Sequence, residues 1–258
     1  MPENDLSLLI SAALRAGEIA QRHFRSDHAV WDKGDGQGPV TEADLEVDQM
    51  LRESLLGACP DHGWLSEETP DSPDRLRRER LFIVDPIDGT RAFAEGHRTW
   101  AHSIALAKAG QVVAGVVYLP MLNRLFTARL GHGAQLNGHT IRASDRAELA
   151  GSTVLAARPA LDPVHWDGAV PAFERHFRSS LAYRLSLIGQ GRFDSMLTLR
   201  DSWEWDIAAG GLIAAEAGAT VSDRCGAALK FNTPGAKNRG VVASAPDLHA
   251  QIFDHLTG

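Results

Sequence analysis

Apolar residues at Leu6, Leu9, Ile10, Ala13, Gly17, Ala20 and Phe24 recur at helical spacing and predict an amphipathic helix over residues 5–25. The Gly- and Asp-rich stretch Trp31–Pro39 reads as a mobile loop. Thr41 then suits the N-cap of a second helix running to about Leu56, with Asp44 in its first turn. The short apolar runs Trp64–Leu65 and Leu81–Val84 read as strands that each deliver a carboxylate at their end. The charged, Pro-flanked segment between them, residues 70–80, reads as a solvated connection. Three consecutive strands follow at Ile104–Leu106, Val112–Tyr118 and Leu125–Ala128, with turns at Gly110 and Asn123.

A second half begins near Gly151. It carries a strand at Thr153–Ala157, helices at Ala182–Leu199 and Trp205–Ala217, strands at Thr220–Ser222 and Gly240–Ala245, and a final helix opened by Pro246. The expected organisation is an α+β, mixed αβ chain of two subdomains. Residues 1–150 form an antiparallel-rich unit, residues 151–258 a more α/β one, and they share a rigid cleft.

Composition narrows this picture. The chain has 258 residues, 44% apolar and 23% charged, enough for one large domain or two closely joined ones. A formal charge of −7 argues against a partner such as a nucleic-acid polymer. Cys59 and Cys225 are too few for a disulfide framework or a cysteine zinc site. MPENDLSLL lacks the basic and apolar regions of a signal peptide, and no apolar run reaches membrane-spanning length. The expectation is a soluble cytoplasmic protein with no membrane partner.

The segment with the most chemistry is LFIVDPIDGTRAFAEG, Leu81–Gly96. An apolar strand ends in Asp85, Pro86 interrupts its pairing, and Asp88-Gly89-Thr90 leads into a helix. Two carboxylates so close in a cleft repel one another unless a cation is present, and a hard ion such as Mg²⁺ suits oxygen ligands. Gly89 permits a tight turn, and the N–H groups of Gly89 and Thr90 at a helix start suit a phosphate. Alone, Asp-Gly-Thr reads first as a turn with an N-cap. Glu67 and Glu68 in WLSEET alone read as an exposed acidic loop, and Asp44 and Asp206 alone as helix-start acids. Their conjunction is the informative observation.

Together PVTEAD (39–44), SEE (66–68), VDPIDGTRAF (84–93) and WDIAAGGLIAAEAGA (205–219) resemble the inositol monophosphatase family of Mg²⁺-dependent, lithium-sensitive phosphomonoesterases, over nearly the whole chain. The resemblance implies a layered αβαβα sandwich of the inositol monophosphatase and fructose-1,6-bisphosphatase type, commonly a homodimer. It implies that Glu67, Asp85, the Ile87 carbonyl and Thr90 hold one metal ion, and that Asp85, Asp88 and Asp206 hold a second, with Asp85 bridging. Glu67 would also touch a third, weaker ion, giving two or three Mg²⁺ per site and inhibition by lithium. Asp44 would orient Thr90, whose hydroxyl helps activate the attacking water, and Gly89, Thr90 and Asp206 would contact the substrate. No protein nucleophile is required, because phosphoryl transfer depends mainly on positioning and charge.

Substrate readings stay open. The position where inositol monophosphatases carry an acid before the WD motif falls here at Thr198 or Leu199. The length of that segment and its EWD ending look more like bacterial 3′(2′),5′-bisphosphate nucleotidases, and Arg184 falls near their basic residue for a second phosphate. Departures from their usual DPLDGTKEF, and Phe177–Ser180 where a glycine is ordinary, count against that branch. The small phosphorylated metabolite is therefore expected to be 3′-phosphoadenosine 5′-phosphate, with inositol 1-phosphate and histidinol phosphate as alternatives. A haloacid-dehalogenase-type phosphatase would need Asp-x-Asp-Gly-Thr, one residue shorter than Asp85–Thr90. A catalytically dead metal- or phosphate-binding regulator would be expected to lack a ligand, and none is lacking.

Overall fold

In the computed structural model, which describes residues 2–24, 30–32 and 39–257, the first two helices pack side by side on one face of a seven-stranded sheet. Helix α1 spans Pro2–His23 and α2 spans Glu42–Ala58. Leu9, Leu51 and Leu55 are fully buried between them and the sheet, each contributing about 2 kcal/mol by area. Residues 33–38 of the expected loop lie outside the described residues, and its ends, Val30–Asp32 and Pro39–Thr41, pair as an antiparallel ribbon.

The large sheet runs in the order Gly63–Ser66, Arg80–Asp88, Ala101–Lys108, Gln111–Leu119, Arg124–Arg129, Ala134–Leu136 and His139–Thr140. Only its first pair is parallel. Gly110 and Asn123 take positive φ at the turns expected of them. The alternation of Arg80–Asp88 sends Phe82 and Val84 toward α1 and α2, and Leu81 and Ile83 toward the opposite face. That face is covered by α4, Leu181–Gly189, and α5, Glu204–Glu216; the short α3 spans Thr90–Ala94.

Beyond α4 and α5 lies a five-stranded sheet ordered Glu174–His176, Thr153–Ala156, Ser195–Thr198, Val241–Ser244 and Thr220–Ser222. Its outer face packs Val154, Ala156, Leu197 and Val242 against Leu248 and Ile252 of α6, Pro246–Phe253. Helix pair, sheet, helix pair, sheet and helix are the five layers of an αβαβα sandwich.

Two expectations are corrected. The helix expected over Ala182–Leu199 ends at Gly189; the chain turns through Gly191, at φ +69°, and Ser195–Thr198 becomes a strand of the small sheet. Residues 70–80 are not simply solvated. Arg75, in the 3₁₀ turn Pro73–Arg77, is buried; it pairs with Asp71 and reaches the Asn232 side chain and the Thr233 carbonyl.

Candidate active site

The site forms where the second strand of the large sheet meets α3, α4 and α5. Along a regular strand Asp85 and Asp88 would point to opposite faces. Asp85 pairs with Ser103 and Asp88 with Ala101, so three steps on one strand oppose two on the other. This one-residue bulge at Pro86-Ile87 reverses the alternation and allows both carboxylates onto one side. Gly89 follows at φ +98°, a conformation in which any L side chain is strained, and Thr90 opens α3. The N–H groups of that first turn have no intrahelical acceptor.

Asp206 lies in the first turn of α5, after Trp205, whose carbonyl accepts a hydrogen bond from Ser103 Oγ at 2.9 Å. Asp85, Asp88 and Asp206 each place one carboxylate oxygen within 4.8 Å of the others. Asp85 Oδ1 is buried with no hydrogen-bond partner. Burial holds Asp85 well above the usual carboxylate range, and Glu67, Asp88, Asp206 and Asp44 push it further up. Asp206 is raised in the same way by burial, then by Asp88 and Glu67, with Arg200 and Arg184 opposing. Asp88 is pushed up to about 6 by burial, against the hydrogen bonds its carboxylate accepts. Its Oδ2 accepts from Ser180 Oγ at 2.7 Å and from the Ala182 N–H at 2.6 Å.

Glu67 lines the same cavity, outside that 4.8 Å cluster. The Thr90 hydroxyl lies 3.2 Å from Asp44 Oδ1 and 3.0 Å from the Ile87 carbonyl, and its single proton serves one of them at a time. Asp44 is buried and fixed from behind: its Oδ2 accepts from the Thr41 N–H at 2.8 Å and the Thr41 hydroxyl at 2.5 Å, part of the α2 capping box. Thr41 is thus the N-cap expected of it. The Arg184 side chain lines the cavity but donates through Nε to the Arg178 carbonyl at 2.5 Å, with its guanidinium stacked over Phe177. Burial lowers its pKa to about 10, so it stays charged at neutral pH.

Two side chains that shape the site escaped the sequence reading. Asp48, one turn beyond Asp44 on α2, accepts from Ser66 Oγ at 2.5 Å and Thr69 Oγ1 at 2.6 Å, and so clamps both ends of the loop carrying Glu67. Its i+4 spacing from Asp44 was the available signal. Ser180 caps α4 by accepting from the Tyr183 N–H at 3.0 Å while donating to Asp88. A serine ahead of an apolar helical run signals the cap but not the second bond.

The cavity encloses about 650 Å³ and is lined at this end by Glu67, Asp85, Asp88, Gly89, Thr90 and Asp206. A sandwich of alternating helices and sheets with buried acids converging on one cleft defines a class of phosphate-handling hydrolases. The inositol monophosphatase family profile matches residues 1–257, and the chain belongs to that family and is a phosphomonoesterase. It is 32% identical over 235 residues to an inositol-1-monophosphatase of Mesorhizobium japonicum, covering 86% of each chain. It is 30% identical over 263 residues to the Nus factor SuhB of Escherichia coli K12, covering 97% of this chain and 98% of that one. Among solved structures, the Thermotoga maritima IMPase superposes with a TM-score of 0.83 at 29% identity, covering 98% of this chain and 96% of that one.

Proposed function

We propose that the protein is a Mg²⁺-dependent phosphatase of a small phosphorylated metabolite, with 3′-phosphoadenosine 5′-phosphate as the first candidate substrate. The observation that carries the metal assignment is Asp85 Oδ1, a carboxylate oxygen buried without a donor among four further acids. Left alone, such a group stays protonated or destabilises the fold. The donor set is all oxygen: carboxylates of Glu67, Asp85, Asp88 and Asp206, the Ile87 carbonyl and the Thr90 hydroxyl. That chemistry fits a hard divalent ion and not zinc, which favours nitrogen and sulfur. Asp85 and Glu67, with Ile87 and Thr90, would hold one ion; Asp85, Asp88 and Asp206 would hold another. Bound there, the ions supply positive charge to the phosphoryl oxygens and acidity to the attacking water.

The chain's own residues do the rest. Asp44 holds the Thr90 hydroxyl in place, so that Thr90 can take a hydrogen bond from a water or pass its own proton to Asp44. The first-turn N–H groups at Gly89 and Thr90 would receive phosphoryl oxygens. Ser180 and Ala182 fix the orientation of Asp88, which keeps the second ligand set in register with α5. Inositol 1-phosphate is the second reading, favoured by the relatives named inositol-1-monophosphatase. A cytoplasmic homodimer inhibited by lithium completes the proposal.

The test is phosphate release from 3′-phosphoadenosine 5′-phosphate, inositol 1-phosphate, histidinol phosphate and fructose 1,6-bisphosphate, with Mg²⁺ and with chelator. Mg²⁺-dependent turnover of at least one is expected, suppressed by millimolar lithium. Turnover of none would sink the catalytic assignment of the cluster.

A further inference from the structure

The cavity is lined by cations as well as by acids. Besides the acids, its lining includes His165, Thr198, Leu199, Arg200 and Arg224. The strand Ser195–Thr198 runs up to this edge, and the chain leaves it at Leu199 and Arg200. Arg224 arrives from the other side of the small sheet, just past Thr220–Ser222. Its Nη1 donates to the Leu199 carbonyl at 3.0 Å, and its backbone N–H donates to the Arg239 carbonyl at 2.9 Å. The Arg224 guanidinium therefore hangs beside the peptide that joins Leu199 to Arg200.

The Arg200 charge acts on Asp206 from a distance, but neither arginine is locked to a carboxylate. Arg200 and Arg224 are exposed, and neither takes part in an ion pair among the described residues. Arg239 nearby is different, since it pairs with Asp223 at 3.3 Å. His165, at the end of the 3₁₀ turn Pro163–His165, borders the same space. A second cavity of about 330 Å³ shares His165, Leu199 and Arg224 with the first, so this wall continues outward from the acid cluster.

The physical consequence is that one cleft presents both signs of charge. Guanidinium groups on a concave wall raise the local concentration of anions, and their planar forks match phosphate or carboxylate in a bidentate way. A neutral polyol gives these donors only hydroxyl acceptors. It also finds no carboxylate on that wall to accept its own hydroxyl protons, because Thr198 and Leu199 stand there. We propose that Arg200, Arg224 and His165 form a second anion subsite, and that the phosphomonoesters this enzyme hydrolyses carry a further phosphate or carboxylate on the leaving group. The subsite deepens the phosphatase reading and rests on the acid cluster being the reaction centre. Arg184 stands apart from it, because its guanidinium is stacked on Phe177 and bonded to the turn before α4.

Steady-state kinetics with Mg²⁺ test the subsite, using 3′-phosphoadenosine 5′-phosphate and fructose 1,6-bisphosphate for a second phosphate, 3-phosphoglycerate for a carboxylate, and glycerol 2-phosphate for a neutral leaving group. The wild type is expected to favour at least one doubly anionic substrate over glycerol 2-phosphate by tenfold or more in kcat/KM. The double variant Arg200→Ala, Arg224→Ala should cut that ratio by about tenfold or more through KM, with part of it restored in Arg200→Lys, Arg224→Lys. Whichever anionic substrate responds identifies phosphate or carboxylate as the group bound. A ratio unchanged by the double variant, or a wild type that prefers glycerol 2-phosphate, overturns the proposal. Calorimetric titration of adenosine 5′-phosphate into the full chain with chelator present separates the subsite from the reaction centre. Weaker binding by tenfold in the double variant supports the subsite even if no ester turns over, whereas equal binding overturns it.

Discussion

Asp88 is held by two hydrogen bonds that both end on one oxygen, from Ser180 and Ala182, and burial still pushes its carboxyl up to about 6. Asp85 and Asp206 are also held well above the usual carboxylate range, by burial first and then by the neighbouring acids. An acid whose folded-state pKa exceeds its unfolded value near 4 binds more protons when folded. For Asp88 folding stability therefore falls as pH rises through about 4 to 6, and above that range its ionised carboxylate destabilises the metal-free fold. The metal-free protein should melt at a higher temperature at pH 5 than at pH 8. Asp88→Asn should flatten that slope, leave the metal-free melting temperature equal or higher, remove most of the gain on adding Mg²⁺, and lower turnover by on the order of a hundredfold or more. Melting curves with and without Mg²⁺ check this, and a variant whose stability falls with pH as steeply as the wild type would refute it. Asp44, Glu67, Asp85, Asp88, Thr90 and Asp206 could be read from the sequence because each sits in a short motif. The roles of Asp48 and Ser180 had weaker signals, a helical spacing and a cap, because the partners that give them meaning, Ser66 and Asp88, lie 18 and 92 residues away.

At the scale of elements, the site depends on how closely α4 and α5 approach. Gly210, one turn after Asp206 on α5, faces the Leu185 Cβ and the Ala182 carbonyl, which a methyl group at this position would meet at 2.7 and 2.9 Å. Ala182 is also the residue whose N–H holds Asp88. A wedge at Gly210 thus separates the helix carrying Asp206 from the helix that orients Asp88. Gly210→Ala should destabilise the protein by about 1–3 kcal/mol, although alanine is the better helix former by about 1 kcal/mol. It should also raise the Mg²⁺ concentration needed for half-maximal activity. Urea denaturation and a Mg²⁺ titration check both, and a more stable variant would show that the helices have room to spare. α2 and α5 were legible as helices because their apolar spacing and start signals agree with their burial. The stretch after Gly189 was not. The short apolar run Ser195–Leu199 fits a helix or a buried strand equally, and its β partners, Thr153–Ala156 and Val241–Ser244, are remote in sequence.

At the scale of the molecule, the two ends of the acid cluster are tied by contacts far outside it. Arg75, in the segment that follows Glu67, grips Asp71 through Nε and Nη2 at 2.6 and 2.9 Å and reaches Asn232 Oδ1 at 2.8 Å and the Thr233 carbonyl at 3.0 Å. The same turn donates its Asn232 and Thr233 N–H groups to Glu204 at 2.7 and 2.8 Å. Glu204 opens α5 two residues before Asp206. One buried guanidinium therefore links the segment beyond the Glu67 loop to the start of α5, across 157 residues of chain. The sequence showed only a charged stretch there, because an arginine among arginines reads as solvated until its partners are known. Replacing it tests whether the tie holds the layers together or merely decorates their edge. Arg75→Met keeps most of the buried stem but strands the Asn232 and Thr233 oxygens, and should cost about 3 kcal/mol, a large share of the ~5–15 kcal/mol available to a domain. Because Glu204 still anchors the 232–233 turn, the variant should remain folded at 25 °C and lose activity mainly through weaker Mg²⁺ dependence. Chemical denaturation reads the first effect and a Mg²⁺ titration the second; a loss below about 0.5 kcal/mol, the range of ordinary surface substitutions, would mean that Glu204 alone fixes the start of α5.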